Sequence, residues 1–558
     1  MNVLLVYPRF PVTYWGFQYG LRLIGKRASL PPLGLLTIAA LLPKHWSLRL
    51  IDLNLRELTD EDLRWAEVVF TGGLLIQQES LHEIIACAHA RAVPVAVGGP
   101  APTTSPELFL EAEVVFRGEA EGRIEELLWA LTQGPGKGRV LDPPTNFPDL
   151  TTVPVPRFDL LERSAYASLS VQYSRGCPFQ CEFCDIVEIF GRKPRVKTSL
   201  QVLDELDAIY RMGYRGTIFF VDDNFIGNKP AVKRLLPLLR DWQIERAYPF
   251  ELYTEASVDL AADPQLLHDL VEAGFSAVFL GLETPSLAAL EQANKHQNLR
   301  FDLSEAVATI TRAGIEVMGG FIVGFDSDGP EIFAMQRDFL SRQPMPLAMV
   351  GILTALPGTA LWRRLQAEGR VRHRSTGDPF TRPNFTPRMD EATLLRGYGA
   401  FLEWQCSPKE FYGRCEAYLD RVGNLSGTRP STFSEVRALL GALWHIGILS
   451  QRRGYFWRLL AKALPKGRRQ VRQAIVHAVQ GEHLIIYTRE HVVPRLRQAL
   501  AELEREAVPE TFGFEREPLR PASAAANLVE VPATDERTAS YSRSTPRSEQ
   551  PGISRGPN

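Results

Sequence analysis

Cys177, Cys181 and Cys184 stand together in the run SRGCPFQCEFC, while the other three cysteines, Cys87, Cys406 and Cys415, are far away in the sequence. Thiolates hold iron–sulfur clusters, usually four to a four-iron cluster, so three close cysteines without a fourth leave one iron free to bind another molecule. A structural zinc site instead wants four Cys or His ligands, typically as two close pairs, and no histidine lies near residue 184. A disulfide framework belongs to short, secreted, cysteine-dense chains, and six cysteines in 558 residues do not make one. The spacing points to an iron–sulfur cluster with one open iron.

The elements that must position such a loop are legible around it. YASLSVQY, just ahead of the cysteines, reads as a strand, and GTIFFV, PFELYT, SAVFLG, EVMGGFIV and LAMVGIL follow, with helices such as LQVLDELDAIYRMG and DPQLLHDLVEAG between them. Six strand–helix repeats over residues 166–389 fit a partial (β/α)6 barrel. Chemistry in such barrels lies at the carboxyl ends of the strands, where the cysteine loop falls. Upstream, over residues 1–135, NVLLV, SLRLI, EVVFT, VPVAVGG and EVVFR alternate with ESLHEIIACAHARA and GRIEELLWALTQ, the pattern of a Rossmann-like parallel α/β sheet. Residues 136–165 are rich in Gly and Pro and read as a linker crossing the surface. Residues 390–508 read as helical, with LIIYT as a late strand, and 509–558, rich in Ser, Ala, Pro and Arg, as a disordered tail. The fold class is α/β with a helical C-terminal region.

Composition excludes little else. Hydrophobic residues at 45%, charged residues at 23% and a formal charge of −2 are ordinary values and give no overall attraction to nucleic acid. MNVLLVYPRF lacks a basic segment followed by a long apolar run, so it reads as a first strand and not a signal peptide. LGLLTIAALL and LLGALWHIGIL are too short to span a bilayer, and a cytoplasmic protein is expected, with contact to the inner membrane surface left open.

Cys-x3-Cys-x2-Cys with Phe183 before the last cysteine resembles the signature of the radical S-adenosylmethionine (SAM) superfamily. The resemblance implies a 4Fe–4S cluster held by Cys177, Cys181 and Cys184, whose free iron chelates SAM and whose electron releases a 5'-deoxyadenosyl radical. Ferredoxin or flavodoxin would be the electron donor. Further positions resemble the superfamily's SAM-contacting segments: Asp222, Asp223 and Asn224 after the second barrel strand, Glu255 and Ser257 after the third, Gly281 and Glu283 after the fourth, and Gly324 after the fifth. Acidic residues after strands are also frequent helix N-caps.

The first 135 residues resemble the cobalamin-binding domain that precedes the barrel in one large subfamily. The matching residues are Thr71, Gly72, Gly73 and Gln77, then Gly98, Gly99 and Pro100, then Arg117, Gly118 and Glu119, each group at the carboxyl end of an expected strand, where open α/β sheets bind ligands. The PPLGLL segment is also typical of the subfamily. The Asp-x-His-x-x-Gly motif that supplies a cobalt ligand in better-known methyltransferases is missing, and His45, His82 and His89 read as ordinary helix or surface residues. An α/β module that binds nothing is the plain alternative. Together the two halves imply hydrogen abstraction from a substrate carbon and transfer of a cobalt-held methyl group to it, with two SAM molecules consumed per turnover.

The opening VYPRFPVTYWGFQYGLRLIGKRASLPPLGLL and the later STFSEVRALLGALWHIGILSQRRGYFWRLLAKAL are similar to regions of the hopanoid C2-methylases and their relatives. That likeness implies a C-methylase of an apolar, small-molecule, lipid-like substrate. Oxidative cyclisation of a tetrapyrrole and a non-catalytic cobalamin sensor or scaffold are the alternatives. A nucleic-acid substrate is not expected, since a tRNA methylthiotransferase would carry a second cysteine cluster near its N-terminus and only Cys87 is there. From Gln451 to Arg472 there are eight Lys and Arg residues, no acidic ones and interleaved aromatics, which fits either an anionic membrane surface or a solvated basic face.

Overall fold

Runs of β-branched residues separated by amphipathic helices fold, over the first 141 residues, into a parallel sheet of six strands: β1 (Asn2–Tyr7), β2 (Ser47–Asp52), β3 (Val68–Gly72), β4 (Val95–Gly98), β5 (Val114–Phe116) and β6 (Arg139–Leu141). The strand order is β2-β1-β3-β4-β5-β6. In this computed structural model the described residues are 1–133, 136–423 and 433–507, so the tail expected to be disordered lies outside the described residues. Alternate side chains of each strand serve opposite faces. Val3 and Leu5 pack with Val68, Phe70 and the helices Leu33–Leu41 and Ile124–Thr132, while Leu4 and Val6 pack with Val69 and the helix Gln78–His89. Each fully buried side chain of this kind contributes roughly 1.5–3 kcal/mol, so both faces must be covered and the sheet is doubly wound. β6 lies among residues read as linker; three residues bounded by Gly and Pro carry too little periodicity to be seen.

The second sheet is a half-barrel of β7 (Ser168–Val171), β10 (Gly216–Phe220), β11 (Phe250–Ala256), β12 (Phe275–Glu283), β13 (Glu316–Val323) and β14 (Ala348–Ile352), all parallel and neighbouring in chain order. Between β7 and β10 the antiparallel pair β8 (Ser174–Arg175) and β9 (Arg195–Val196) brackets the cysteines. Leu169, Val171, Ile218, Phe220, Leu252, Val278, Leu280 and Val317 are buried against the outer helices, and the alternate positions face the lumen.

The C-terminal region is helical throughout its described residues after Asp390. The expected strand LIIYT is overturned, because Leu484–Tyr487 end the helix Arg468–Tyr487. A short apolar run has no period of its own that separates strand from helix. Here Ala474, Ala478, Leu484 and Ile485 are buried along one continuous helix. That helix crosses to the N-terminus: His483 Nε2 lies 2.8 Å from the Thr13 carbonyl, the Tyr14 and Thr488 hydroxyls are 2.6 Å apart, and a Cβ on Gly20 would fall 2.5 Å from the Val479 carbonyl.

Candidate functional site

The cysteine loop is closed by backbone. Gly176 has φ +94°, and a Cβ there would lie 2.9 Å from the Gly191 carbonyl oxygen, so a side chain would force the loop open. The Cys177 amide donates to Gly191, the Glu182 amide to Ala293, and the Leu361 amide to the Glu182 carbonyl. Glu182, between two of the cysteines, is gripped by the Arg364 guanidinium at 2.5 Å, and Arg364 also holds Asp326 at 2.8 Å. The three thiols are half-buried. Burial pushes the thiols of Cys177 and Cys184 above their ordinary range. Gln297 Nε2 points at Cys181 Sγ from 3.5 Å. Lys295 sits over the ring of Phe183 and 2.7 Å from Glu283; burial opposes its charge, but Glu283, Cys181 and Cys184 more than offset this and raise its pKa.

Among the described residues no three His, Cys, Asp or Glu side chains converge tightly enough for a single metal ion. Three thiols spread along one loop, with an N–H donor and an ammonium beside them, fit a larger sulfur-bridged cluster, since buried thiols become thiolates only against compensating positive charge.

Asp222 and Asp223 stand at the end of β10 and face the cysteine hairpin. Asp222 accepts from the Tyr173 and Ser174 amides, and Asp223 from Gly176 at 2.9 Å. Burial raises Asp222 to about 7 and Asp223 to about 6. Their hydrogen bonds fasten the loop, a use that differs from the cofactor contact expected of them. Asn224 donates to Ser257 at 3.1 Å, and both line a small cavity of about 360 Å³ with Pro178 and Lys193. Glu255 and Glu283 point into a much larger one. Burial, then Asp223 and Asp222, raise Glu255 to about 8. Glu283 curls back over Gly281, where a Cβ would fall 2.4 Å from its Oε1. Gly324, at φ +95°, donates to Asp328 at 2.9 Å and turns the chain after β13.

The large cavity, about 2130 Å³, fills the half-barrel. Its lumen wall is every second strand residue, including Phe219, Tyr253, Phe279, Met318, Ile322 and Met349. Phe219 and Tyr253 stack at 4.6 Å, and Trp15 stands edge-on to Phe279 at 5.3 Å. Leu74 and Ile76, from the loop after β3, close it from the first sheet, and the helix Arg468–Tyr487 closes it below.

At the carboxyl edge of the first sheet the strand order reverses between β1 and β3, the place where open α/β sheets take ligands. Gly72, Gly73, Gly98, Gly99 and Gly118 pave this edge with backbone, and Pro100 opens the helix Pro100–Thr104. A Cβ on Gly72 would fall 2.6 Å from the Gly98 carbonyl oxygen, and the Ala101 amide donates to the Gly73 carbonyl at 3.0 Å, so the chain leaving β3 and β4 packs backbone to backbone. Such a surface suits close approach of a planar macrocycle. The polar candidates there have protein partners. Thr71 donates to the Val6 carbonyl, Gln77 spans Pro8 and Leu74, and Glu119 pairs with Arg175 and Arg195, both at 2.6 Å. Arg117 pairs with Asp142. His82 and His89 are held by Glu111 and Glu113, which precede β5, and His45 precedes β2. His89 and His45 therefore lie toward the amino edge, opposite the glycine surface, while His82 stacks on Phe109 at 5.3 Å.

Lys295, Gln297, Arg195 and Arg364 were not visible in the sequence. None belongs to a local motif, and only the fold brings them to the cysteines, as only the fold pairs Glu119 with Arg175.

Comparison with known proteins accords with this geometry. Residues 171–336 match the radical SAM superfamily, and 359–495 match a domain of unknown function, DUF4070. The chain is 39% identical to an uncharacterized methyltransferase of Synechocystis over 96% of its own length and 100% of the relative's. It is 36% identical to the hopanoid C-2 methylase of Rhodopseudomonas palustris over 88% of its length and 94% of the relative's. The fold is that of TsrM, a radical SAM methyltransferase from Kitasatospora setae solved with cobalamin and a [4Fe–4S] cluster bound, at TM-score 0.57 and 16% identity, covering 84% of this chain and 100% of that one. The chain belongs to the radical SAM superfamily and, within it, to the methyltransferase family of the Synechocystis protein and the hopanoid C-2 methylase.

Proposed function

We propose that the protein is a cobalamin-dependent radical SAM C-methyltransferase acting on an unactivated carbon of an apolar isoprenoid lipid, with a hopanoid as the substrate to test first. One observation carries the substrate class: a cavity of about 2130 Å³ walled mostly by aromatic and aliphatic side chains, with Glu251, Glu255, Glu283 and Glu316 among them, in a chain 36% identical to a hopanoid C-2 methylase. Drug-sized pockets span roughly 300–1,000 Å³, so this volume suits a long apolar molecule together with part of a cofactor.

On this reading residues 1–141 carry cobalamin on the Gly72–Gly73, Gly98–Pro100 and Gly118 surface. Cys177, Cys181 and Cys184 hold the cluster. Asn224, Glu255, Ser257, Gly281, Glu283 and Gly324 are left to contact SAM, since Asp222 and Asp223 are engaged with the loop. When bound, these groups supply a one-electron reductant, a hydrogen-abstracting radical and a methyl donor. The chain's own work is positional. Asp222, Asp223 and Glu182 fix the cysteine loop, Glu119 and Glu121 tie Arg175 beside that loop to the first sheet, and the apolar lumen orients the substrate and keeps water out. No acid–base pair is required.

The test is expression in a host that makes hopanoids but lacks this activity. Methylated hopanoids are expected. Unchanged lipids, alongside active cleavage of SAM by the purified protein, would move the reading to another apolar substrate.

A further inference from the structure

The segment after Phe433 turns an apolar stripe outward. Val436, Leu440, Trp444 and Ile448 follow one another at four-residue spacing, all exposed, with Leu449 beside them. Trp444 is 55% exposed and Leu449 59%. In a helix of 3.6 residues per turn, four-residue spacing drifts around the axis; here Leu443–Leu449 is a π-helix, whose wider turn takes up that drift and keeps the stripe straight. Trp457, on the next helix, donates to the Gly447 carbonyl at 2.9 Å and extends the patch. Burying nothing, these side chains cost solubility unless something apolar covers them.

Two observations select the cover. The stripe is continuous with the mouth of the lumen: Val436 and Leu464 are exposed and also line the large cavity. The chain around it is cationic, with nine Lys and Arg and no Asp or Glu from Val436 to Arg472. Most of that charge is already used. Arg458 pairs with Glu416, Lys462 and Lys466 with Asp420, and Arg452 with Glu482, while Arg469 donates to the Gly314 carbonyl. Exposed tryptophans in an aliphatic patch, with cations around it, match the interface of a phospholipid bilayer.

We propose that the stripe Leu440, Trp444, Ile448, Leu449 and Trp457 seats the protein on a phospholipid bilayer with the cavity mouth facing the lipid phase, so that an apolar substrate enters without crossing water. This deepens the apolar-substrate reading and rests on it. Because most of these cations already have partners in the protein, apolar insertion and not surface charge drives the contact.

Vesicle flotation of the full chain tests it without any substrate, so its failure and a failure of methylation are separate results. The protein is expected to float with neutral phosphatidylcholine vesicles as with anionic ones, and to stay bound at about 0.5 M salt, where surface charges are screened. The triple variant L440S/W444S/L449S should fold with an unchanged Tm and float about tenfold less or worse, since each lost side chain forfeits a transfer free energy of at least that factor. The proposal is overturned if the wild type does not float, if it floats only with anionic vesicles and is released by salt, or if the triple variant converts a dimer to a monomer, which would make a second copy the cover.

Discussion

At the scale of single residues, the cysteine loop depends on side chains other than its thiols. Arg364 holds Glu182 by two hydrogen bonds, at 2.5 and 3.2 Å, and links it to Asp326, which Arg370 also grips. Arg364→Ala leaves Glu182 half-buried without its cation and should cost roughly 1–2 kcal/mol, mostly at the loop. The expected readout is loss of iron retained after anaerobic reconstitution, with Arg364→Lys restoring part of it because charge survives but the bidentate grip does not. Equal iron content in wild type and Arg364→Ala would refute that role. The three cysteines were legible because their spacing is local, whereas Lys295, Gln297 and Arg364 reach them across 111 to 187 residues, taken from Cys184 to Lys295 and from Cys177 to Arg364. Asp222 and Asp223 were legible as polar strand-end residues, but their partners are backbone amides of the hairpin β8–β9, which no side-chain pattern announces.

Between elements, the helix Arg468–Tyr487 is the closure of the molecule, and two buried histidines give it a pH signature. His477 lies 3.0 Å from Glu316 at the start of β13; burial works against its charge, but Glu316 prevails and raises it to about 10. His483 is the reverse, lowered by burial to about 4 while it faces the Thr13 carbonyl. The raised group contributes stability that is complete below its unfolded value of about 6.5 and is lost as pH climbs through about 10. The lowered group contributes stability that is complete above about 6.5 and is lost as pH falls toward about 4. Thermal unfolding followed from pH 4 to 10 should therefore show both flanks, and His477→Gln should flatten only the alkaline one; an unchanged alkaline flank would remove His477 from the account. The strands of both sheets were legible from alternation, apart from β6. The last helix was misread in part, since burial by a distant N-terminal segment, and not local propensity, decides its final turn.

For the molecule as a whole, two stretches that resemble the hopanoid C2-methylases prove to be neighbours: a Cβ on Gly25 would lie 3.2 Å from the Arg437 guanidinium, and Gly441 packs against the Leu23 carbonyl, across more than 400 residues. Together they close the lumen that the half-barrel leaves open. Their likeness to one family is thus a likeness of cavity walls, which is why the sequence pointed to a substrate class without showing the cavity. Its size and its apolar mouth required the fold. Among the described residues no helix is long and apolar enough to cross a membrane, and the lipid contact proposed above rests on the exposed stripe. The central claim is that three thiols, joined to this lumen through Lys295 and Glu283, serve the transfer of a methyl group to an apolar carbon. Its most direct test is mass spectrometry of a hopanoid incubated with anaerobically reconstituted enzyme, cobalamin, a strong reductant and methyl-labelled SAM. One labelled methyl on the lipid, accompanied by 5'-deoxyadenosine and abolished by Cys184→Ala, is the result expected. Lipid labelled equally by the Cys184→Ala enzyme, or no 5'-deoxyadenosine from the wild type, would contradict it.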